Sequence, residues 1–491
     1  MNNHIAVDIG ASSGRLVLGT LEDGTLSLEE IHRFSNAFSE RDGSCFWDID
    51  YLYEQIIVGL QKAKAKGINK CTLGIDTWAV DYVLLDAEGN RVQEVYAYRD
   101  RRTEHVMEEV AKHISPAIVY GKTGIQQLTF NTLYQLYAHS PEELAQADQI
   151  LLVPDYLYYR LCGRKINEVT NASTSQLLNL VTRDFDEDLL KLLHLRREQF
   201  ATLTEPGEVL GFMSESLVQQ YDLPEETLLI CAATHDTASA VLGVPLASDK
   251  SSAYISSGTW SLLGVELSQP INNKQAMEAN YTNEWGAFGT YRFLKNIMGL
   301  WLIQEVRRLD GDRYSFAKLA ELAGEEEAFR SLIPCNDPRF LNPDNMIEEI
   351  RKACVESGQP VPKTMGQLAR CVFDSLALSY LTYLKELEVL TGTPIEVLQI
   401  GGGGANNELL CQLTADIIGR EVLAGPVEST ALGNLAVQII RAGNISNITE
   451  ARTIIRNSFE IKSYVPRPLP QLTEILSLWE ALHPGTVSET I

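Results

Sequence analysis

The chain opens with an apolar run that gives way to small polar residues: Ile5-Ala-Val-Asp8-Ile-Gly10-Ala-Ser-Ser-Gly14-Arg15-Leu16. This pattern predicts a strand carrying Asp8, a tight turn, a second strand through Leu21, an Asp-Gly turn, and a third strand over 26–34. The plan recurs at 251–267, where alternating residues enclose a small polar turn, Ser256-Ser-Gly-Thr259. Two such hairpins about half a chain apart predict a duplicated architecture. A third element starts at Ile395, where a short apolar strand meets Gly401-Gly-Gly-Gly404; beyond it, apolar residues at 409, 410, 413, 417 and 418 repeat with helical period. Strands are also expected at 71–76, 82–86 and 228–233, the last followed by a helical run through Leu242. Helices are expected at 51–66, 103–113, 133–147, 296–308, 346–356 and 365–391. The alternation is that of an α/β protein.

The turns carry candidate chemistry. Gly10, Ser12, Ser13 and Gly14 let backbone N–H groups converge on an anion, and the hydroxyls add donors. Asp8, near the strand end, is placed to hold a hydrated divalent cation beside it. The Gly-Lys-Ser/Thr ending of a Walker loop is missing, and two glycines four apart that enter a strand do not make a dinucleotide fingerprint. At 401–404 the missing side chains allow a flat base and ribose to approach the backbone, with Asn406 at the helix entrance. Asp236, in Thr234-His235-Asp236-Thr237, follows a strand and starts a helix, the ligand side of an α/β sheet. One positioned carboxylate suffices to take the proton of an alcohol during phosphorylation. Asp76, Asp81 and Asp100 compete for that role, and Trp78 offers a flat face to a sugar.

Composition narrows the field. The chain has 491 residues, more than one core holds, so two domains are expected: 1–246 and 247–465, with a tail at 466–491 and a crossing at 247–252. A net charge of −24 without a basic stripe argues against nucleic acid. No apolar run of membrane-spanning length and no secretory leader pattern appears, so a cytoplasmic location away from membranes is expected. The eight cysteines lack any Cys-x-x-Cys pair and read as reduced thiols rather than metal ligands.

Taken together, the Asp8–Arg15 loop, Thr77-Trp-Ala-Val-Asp81, His235-Asp-Thr237, Ser256-Ser-Gly-Thr-Trp260, Lys295-Asn-Ile-Met-Gly-Leu-Trp-Leu-Ile-Gln304 and the glycine run resemble the FGGY carbohydrate kinases. Tyr98–Thr103, Phe130–Gln135, Pro154-Asp-Tyr156, Asn280–Asn283 and Gly425–Glu428 extend the resemblance over essentially the whole chain. It implies two actin-like (ribonuclease H-like) α/β domains with the active site in the cleft between them, closing to exclude water. ATP, with Mg2+, would meet Ala11, Ser12, Ser13, Gly14, Arg15 and Thr259 through its phosphates and Gln304 and Gly402 through its adenosine. The sugar would touch Ala79, His235, Asp236, Thr237 and Asn296, with Asp236 as catalytic base and Asp8 at the metal. Ala79 departs from the glycine usual in Thr-Trp-Gly-Val-Asp. The implied acceptor is the C1 hydroxyl of a ketose, L-rhamnulose; L-fuculose, D-xylulose, L-ribulose and glycerol are alternatives, as is a non-kinase ATPase of the actin and Hsp70 type. A monomer or small homo-oligomer is expected.

Overall fold

The computed structural model describes residues 2–246 and 250–482. The elements that position the site are, in chain order, strands β1 (Asn3–Ile9), β2 (Ser13–Glu22) and β3 (Thr25–Ser35), helix α1 (Ile49–Ala65) and strand β4 (Lys70–Thr77). Strands β5 (Val209–Phe212) and β6 (Glu226–Ile230) lead to helix α2 (Asp236–Gly243). The second hairpin is β7 (Ser252–Ser257) and β8 (Trp260–Leu267), followed by a third, β9 (Thr282–Trp285) and β10 (Tyr291–Met298). Helices α3 (Trp301–Leu309), α4 (Met346–Glu356) and α5 (Met365–Thr391) come next. Then follow β11 (Val397–Gly401), α6 (Glu408–Ile418), β12 (Glu421–Ala424), α7 (Ser429–Arg441), β13 (Lys462–Tyr464) and α8 (Leu472–Ala481).

The chain forms two compact units that are not its two contiguous halves. Unit 1 takes the residues up to Pro245 and adds Glu266–Leu294 and Ser429–Ser458; unit 2 is Leu246–Val265, Lys295–Glu428 and the chain from Phe459. The reason is visible in the polar groups that unit 1 recruits. On α7, Asn434 donates to Asp76 at 2.6 Å, and Gln438 accepts from Thr72 at 2.6 Å and donates to the Ile5 carbonyl at 3.0 Å. Fully buried polar groups must find partners, and those of β1 and β4 find them on α7. The expected crossing at 247–252 lies partly outside the described residues.

Unit 1 is built on a sheet of order β5-β6-β4-β1-β2-β3. β6, β4 and β1 run parallel, so their carboxyl ends share one edge, while β1, β2 and β3 form the antiparallel meander. Helix α1 is capped by Asp48, which accepts from the Tyr51 N–H, and it buries Leu52, Ile56 and Leu60 in a core with Ile5, Val7, Leu16 and Leu73. In unit 2 the strands lie in the order β8-β7-β11-β12-β13, with β7, β11 and β12 parallel and the β7–β8 hairpin at one side. The duplicated plan is therefore real at the level of sheet topology.

Three expected helices differ. The segment 133–147 is split into Thr132–Tyr137 and Pro141–Ala145, because Ser140 and Pro141 start a new helix with a reciprocal Ser140–Glu143 cap. The segment 103–113 shortens to Val106–Ala111. Residues 296–298 complete strand β10, whose earlier residues pair with β9, and α3 begins only at Trp301. The described part of the tail carries helix α8. All eight cysteines are free thiols. Among the described residues no helix is long and apolar enough to cross a membrane.

Candidate active site

The candidate site of unit 1 lies where the parallel strands end. After β6 the chain continues as Cys231–Thr234, and the Thr77 N–H donates to the Thr234 carbonyl at 2.9 Å, locking the loop to the end of β4. Glu168 holds the same loop from the other side. Its carboxylate accepts from the Thr234 hydroxyl at 2.7 Å and N–H at 3.1 Å, and from the Thr170 hydroxyl and N–H and the Asn171 N–H. With its backbone so fixed, His235 becomes the N-cap residue of α2 and Asp236 enters the first turn.

Each carboxylate near these strand ends is in a different state. Asp81 is buried and accepts from Trp47 Nε1 at 2.6 Å, Trp78 Nε1 at 2.9 Å, Gln135 Nε2 at 2.9 Å and the Tyr98 N–H at 3.0 Å. Burial pushes its pKa up to about 6 against those donors. Asp76 is wholly buried beside Asp8 in the β1–β4 register, and burial first, then the Asp8 charge, raises its pKa well above the usual range. Asp100 is engaged by the Cys45 and Arg102 N–H groups. Asp236 alone of the sequence candidates keeps a partly open side chain, 31% exposed, with the Thr237 hydroxyl at 3.1 Å and His235 Nε2 at 3.5 Å from Oδ1. Close packing, opposed by His235, raises its pKa, and Asp8 adds to the rise. A carboxylate that is open and made more basic is suited to accept a proton.

The first turn is set by two clamps: the Gly10 N–H donates to the Ser13 carbonyl at 2.9 Å, and Asn36 Nδ2 donates to the Gly10 carbonyl at 2.8 Å. Ala11 and Ser12 form its tip, and Ser13 opens β2. Gly14 and Arg15 already belong to β2, opposite Ile9 and Asp8. Arg15 donates through Nε and Nη2 to Asp8 Oδ2, at 3.0 and 2.8 Å, so both bonds fall on one oxygen. Gly14 is needed for a reason other than the turn, since a Cβ there would stand 2.2 Å from the Phe34 ring.

Ala79 is half-buried in a loop of unusual backbone. The Asp81 N–H donates to the Ala79 carbonyl at 3.0 Å across Val80, whose φ is +69°. A β-branched residue in this three-residue turn is strained, and such strain persists only where neighbours over-determine it. Here the Thr132 hydroxyl donates to the Val80 carbonyl at 2.6 Å, and Asp81 is fixed by its four donors. Trp78 is buried against Trp47, ring centres 4.2 Å apart, and so backs the loop instead of offering an open face.

In unit 2 the structure brings Thr259 and Gln304 together, with the Thr259 hydroxyl donating to Oε1 at 3.3 Å. The Leu300 and Trp301 N–H groups donate to the Gly258 and Thr259 carbonyls at 3.0 and 3.1 Å, so the start of α3 docks on the β7–β8 turn. Gly299 permits this approach, a Cβ there standing 2.5 Å from the Trp260 carbonyl carbon. Asn296 lies on strand β10, not on a helix, and is half-buried. Gly402 has φ +78°, and a Cβ on it would meet the Ser257 carbonyl oxygen at 2.8 Å; at Gly404 one would meet the Ser257 hydroxyl at 1.9 Å. Two of the four glycines therefore accommodate β7, and Gly403, with nothing within 4 Å, is the open one.

Sequence reasoning missed Glu168, Glu284 and Arg292. Arg292 Nη2 lies 2.9 Å from Glu284 Oε2 and 3.1 Å from His235 Nδ1, and Glu284 Oε2 lies 3.2 Å from that nitrogen. Burial works against the Glu284 charge, yet Arg292 and His235 hold its pKa below the ordinary value. Both residues stand in a strand-like run whose polar members read as a solvated face. Among the described residues no group of three or more His, Cys, Asp or Glu side chains is arranged to hold a metal ion alone. A magnesium ion that keeps several waters and shares phosphate oxygens needs only one or two carboxylates. Asp8, with one oxygen outside its Arg15 bonds, fits that requirement.

Comparison with known proteins places these residues in a family. Residues 4–243 match the N-terminal domain, and residues 253–442 the C-terminal domain, of the FGGY family of carbohydrate kinases. The chain is 51% identical to the rhamnulokinase of Bacillus subtilis over 479 residues, 98% of each chain. It is 50% identical to the rhamnulokinase of Ligilactobacillus salivarius, over 95% of this chain and 96% of that one. Among solved structures, the ligand-bound xylulose kinase of Lactobacillus acidophilus matches with TM-score 0.79 and 17% identity, over 98% of this chain and 97% of its own. Plasmodium falciparum glycerol kinase with ADP matches with TM-score 0.80 and 15% identity, over 100% and 99%. At such identities the likeness is one of fold.

Proposed function

Because the chain belongs to the FGGY family of carbohydrate kinases, we propose that it transfers the γ-phosphate of ATP to the C1 hydroxyl of L-rhamnulose, giving L-rhamnulose 1-phosphate and ADP. Identity of about half the residues to rhamnulokinases over nearly the full length supports the choice of sugar. The observation that supports the catalytic assignment is exposure: Asp76, Asp81 and Asp100 are buried, whereas the Asp236 side chain is 31% exposed at the start of α2.

Asp236 takes the proton of the C1 hydroxyl as its oxygen attacks the γ-phosphorus. The new O–P bond forms while the bond to the β-phosphate oxygen breaks, and ADP leaves. Ala79, His235, Thr237 and Asn296 hold the ketose. Ala11, Ser12 and Ser13, with Gly14 and Arg15 at the turn's base, and Thr259 meet the phosphates; Gln304 and Gly402 meet the adenosine. Asp8 would hold the hydrated magnesium ion of the ATP complex, which would offset charge on the phosphates. Amide donors aimed at the phosphoryl oxygens stabilise charge that grows in the transition state. The Ala79 methyl is half-buried beside the strained Val80, and this loop forms a wall of the ketose site.

The test is a panel of L-rhamnulose, L-fuculose, D-xylulose, L-ribulose and glycerol, assayed by coupled ADP release with Mg-ATP. The expected result is the highest kcat/KM on L-rhamnulose. A higher value on another acceptor transfers the assignment to that sugar, and ADP release indifferent to any sugar refutes the kinase reading.

A further inference from the structure

We propose that Glu284 and Arg292 are positioning residues of the acceptor site, clamping the His235 ring through Nδ1 so that Nε2 stays a hydrogen-bond donor facing Asp236; this rests on the sugar-kinase reading above. The pair is built into unit 1 by register. Glu284 on β9 and Arg292 on β10 are direct cross-strand partners, so the hairpin presents carboxylate and guanidinium side by side. Arg292 is 1% exposed at its side chain and Glu284 8%. Arg292 is further tied to the Trp285 carbonyl, its Nε at 3.4 Å, and Nη2 stands 3.5 Å from the Thr170 carbonyl. The Thr170 hydroxyl in turn accepts from the His235 N–H at 3.3 Å. Ring and backbone of His235 are thus held from the same neighbourhood.

The chemistry of the contact is specific. A guanidinium only donates and a carboxylate only accepts. His235 Nδ1 meets one of each, Arg292 Nη2 at 3.1 Å and Glu284 Oε2 at 3.2 Å. Nδ1 is in hydrogen-bond contact with Arg292, from which it can only accept, and Glu284 Oε2 stands beside both as the charge partner of the guanidinium. With Nδ1 accepting, the ring proton sits on Nε2, 3.5 Å from Asp236 Oδ1. That N–H is free to steer the Asp236 carboxylate or the acceptor oxygen, and His235 does not compete with Asp236 as base. A buried ion pair contributes little net stability compared with apolar residues of similar size. Its placement behind His235 is accounted for by orientation, where small displacements cost rate.

The same fact about stability supplies the test. The paired replacement of Glu284→Leu with Arg292→Met removes the clamp without leaving a lone buried charge. It is made in the full-length protein and in a His235→Asn background, and kcat and the ketose KM are measured with L-rhamnulose and Mg-ATP. In the otherwise unaltered protein kcat should fall about tenfold, as expected for loss of orientation. In the His235→Asn background the same replacement should change kcat less than twofold, because its route of action is already gone. Undiminished kcat, or an equal loss in both backgrounds, overturns the inference. Should the paired replacement fail to fold, Glu284→Gln is carried through the same cycle with the same criteria. If His235→Asn alone turns over the sugar as the natural protein does, the sugar-site reading itself fails, a result distinct from additivity.

Discussion

Asp236 differs from Asp76, Asp81 and Asp100 in exposure, its side chain being 31% exposed where theirs are buried, and the first expectation follows from that difference. Asp236→Asn should lower turnover about 10²–10⁴-fold, the usual cost of losing a positioned base, while the melting temperature and ATP affinity hold. Purified variant turning over like the natural protein would bring another acid forward. Asp81 makes the opposite case, with its carboxylate saturated by Trp47, Trp78, Gln135 and Tyr98. Its folded-state pKa is raised to about 6 from 3.8. The stability it contributes is complete below its unfolded pKa and disappears as pH rises through about 6. Natural protein should therefore lose up to about 3 kcal/mol relative to Asp81→Asn between acid and neutral pH, read by denaturant melts. A stability difference flat with pH would show that Asp81 does not titrate there. Glycine roles were the least legible at this scale. Gly14 reads from sequence as a turn residue needing free backbone, yet it is a strand residue facing Phe34. Replacing it with Val should destabilise by about 1–3 kcal/mol through overpacking, with nucleotide affinity following stability rather than a blocked turn. Calorimetry on the folded variant decides between the two.

Helix α2, which starts at Asp236, meets α7 through glycines, and that contact is the sharpest constraint on any element of the site. A Cβ at Gly433 would stand 1.7 Å from the Ser239 carbonyl oxygen, and one at Gly243 1.9 Å from the Ser429 oxygen. Neither backbone yields without moving its helix. Gly433→Ala should thus displace α2, lowering stability by about 1–3 kcal/mol and also lowering kcat with L-rhamnulose. Unchanged melting and kcat would mean that the helices slide apart at no cost to the site. None of this was readable from the chain, because it depends on which helix α7 meets, a long-range choice with no local signature. What was readable had local causes. The hairpin turns, the capped helix at 346–356 and the helix at 365–391 are written in small residues, caps and apolar period. Residues 296–298 failed that test, since an apolar stretch too short to show its period joined a real helix beyond the bend at Gly299 and Leu300.

For the whole molecule, the duplicated hairpins correctly indicated two sheets of one plan, while the compact units also exchange segments between the two halves of the chain. Unit 1 draws β9, part of β10 and α7 from the second half of the chain, and its polar ladder from Thr72 to Asn434 spans more than half the sequence. For the same reason Glu284 and Arg292 carried no motif: their meaning comes from His235, far away in the chain. The chemistry at the parallel strand ends was legible because it sits on short contiguous motifs. Its most direct test is the product itself. Full-length protein is incubated with L-rhamnulose and Mg-ATP, and the phosphorylated sugar is examined by phosphorus and proton NMR. The expected result is one phosphate per ADP formed, its phosphorus coupled to the two C1 protons. Phosphate on another carbon, or ADP formed without a sugar phosphate, would contradict transfer to the C1 hydroxyl.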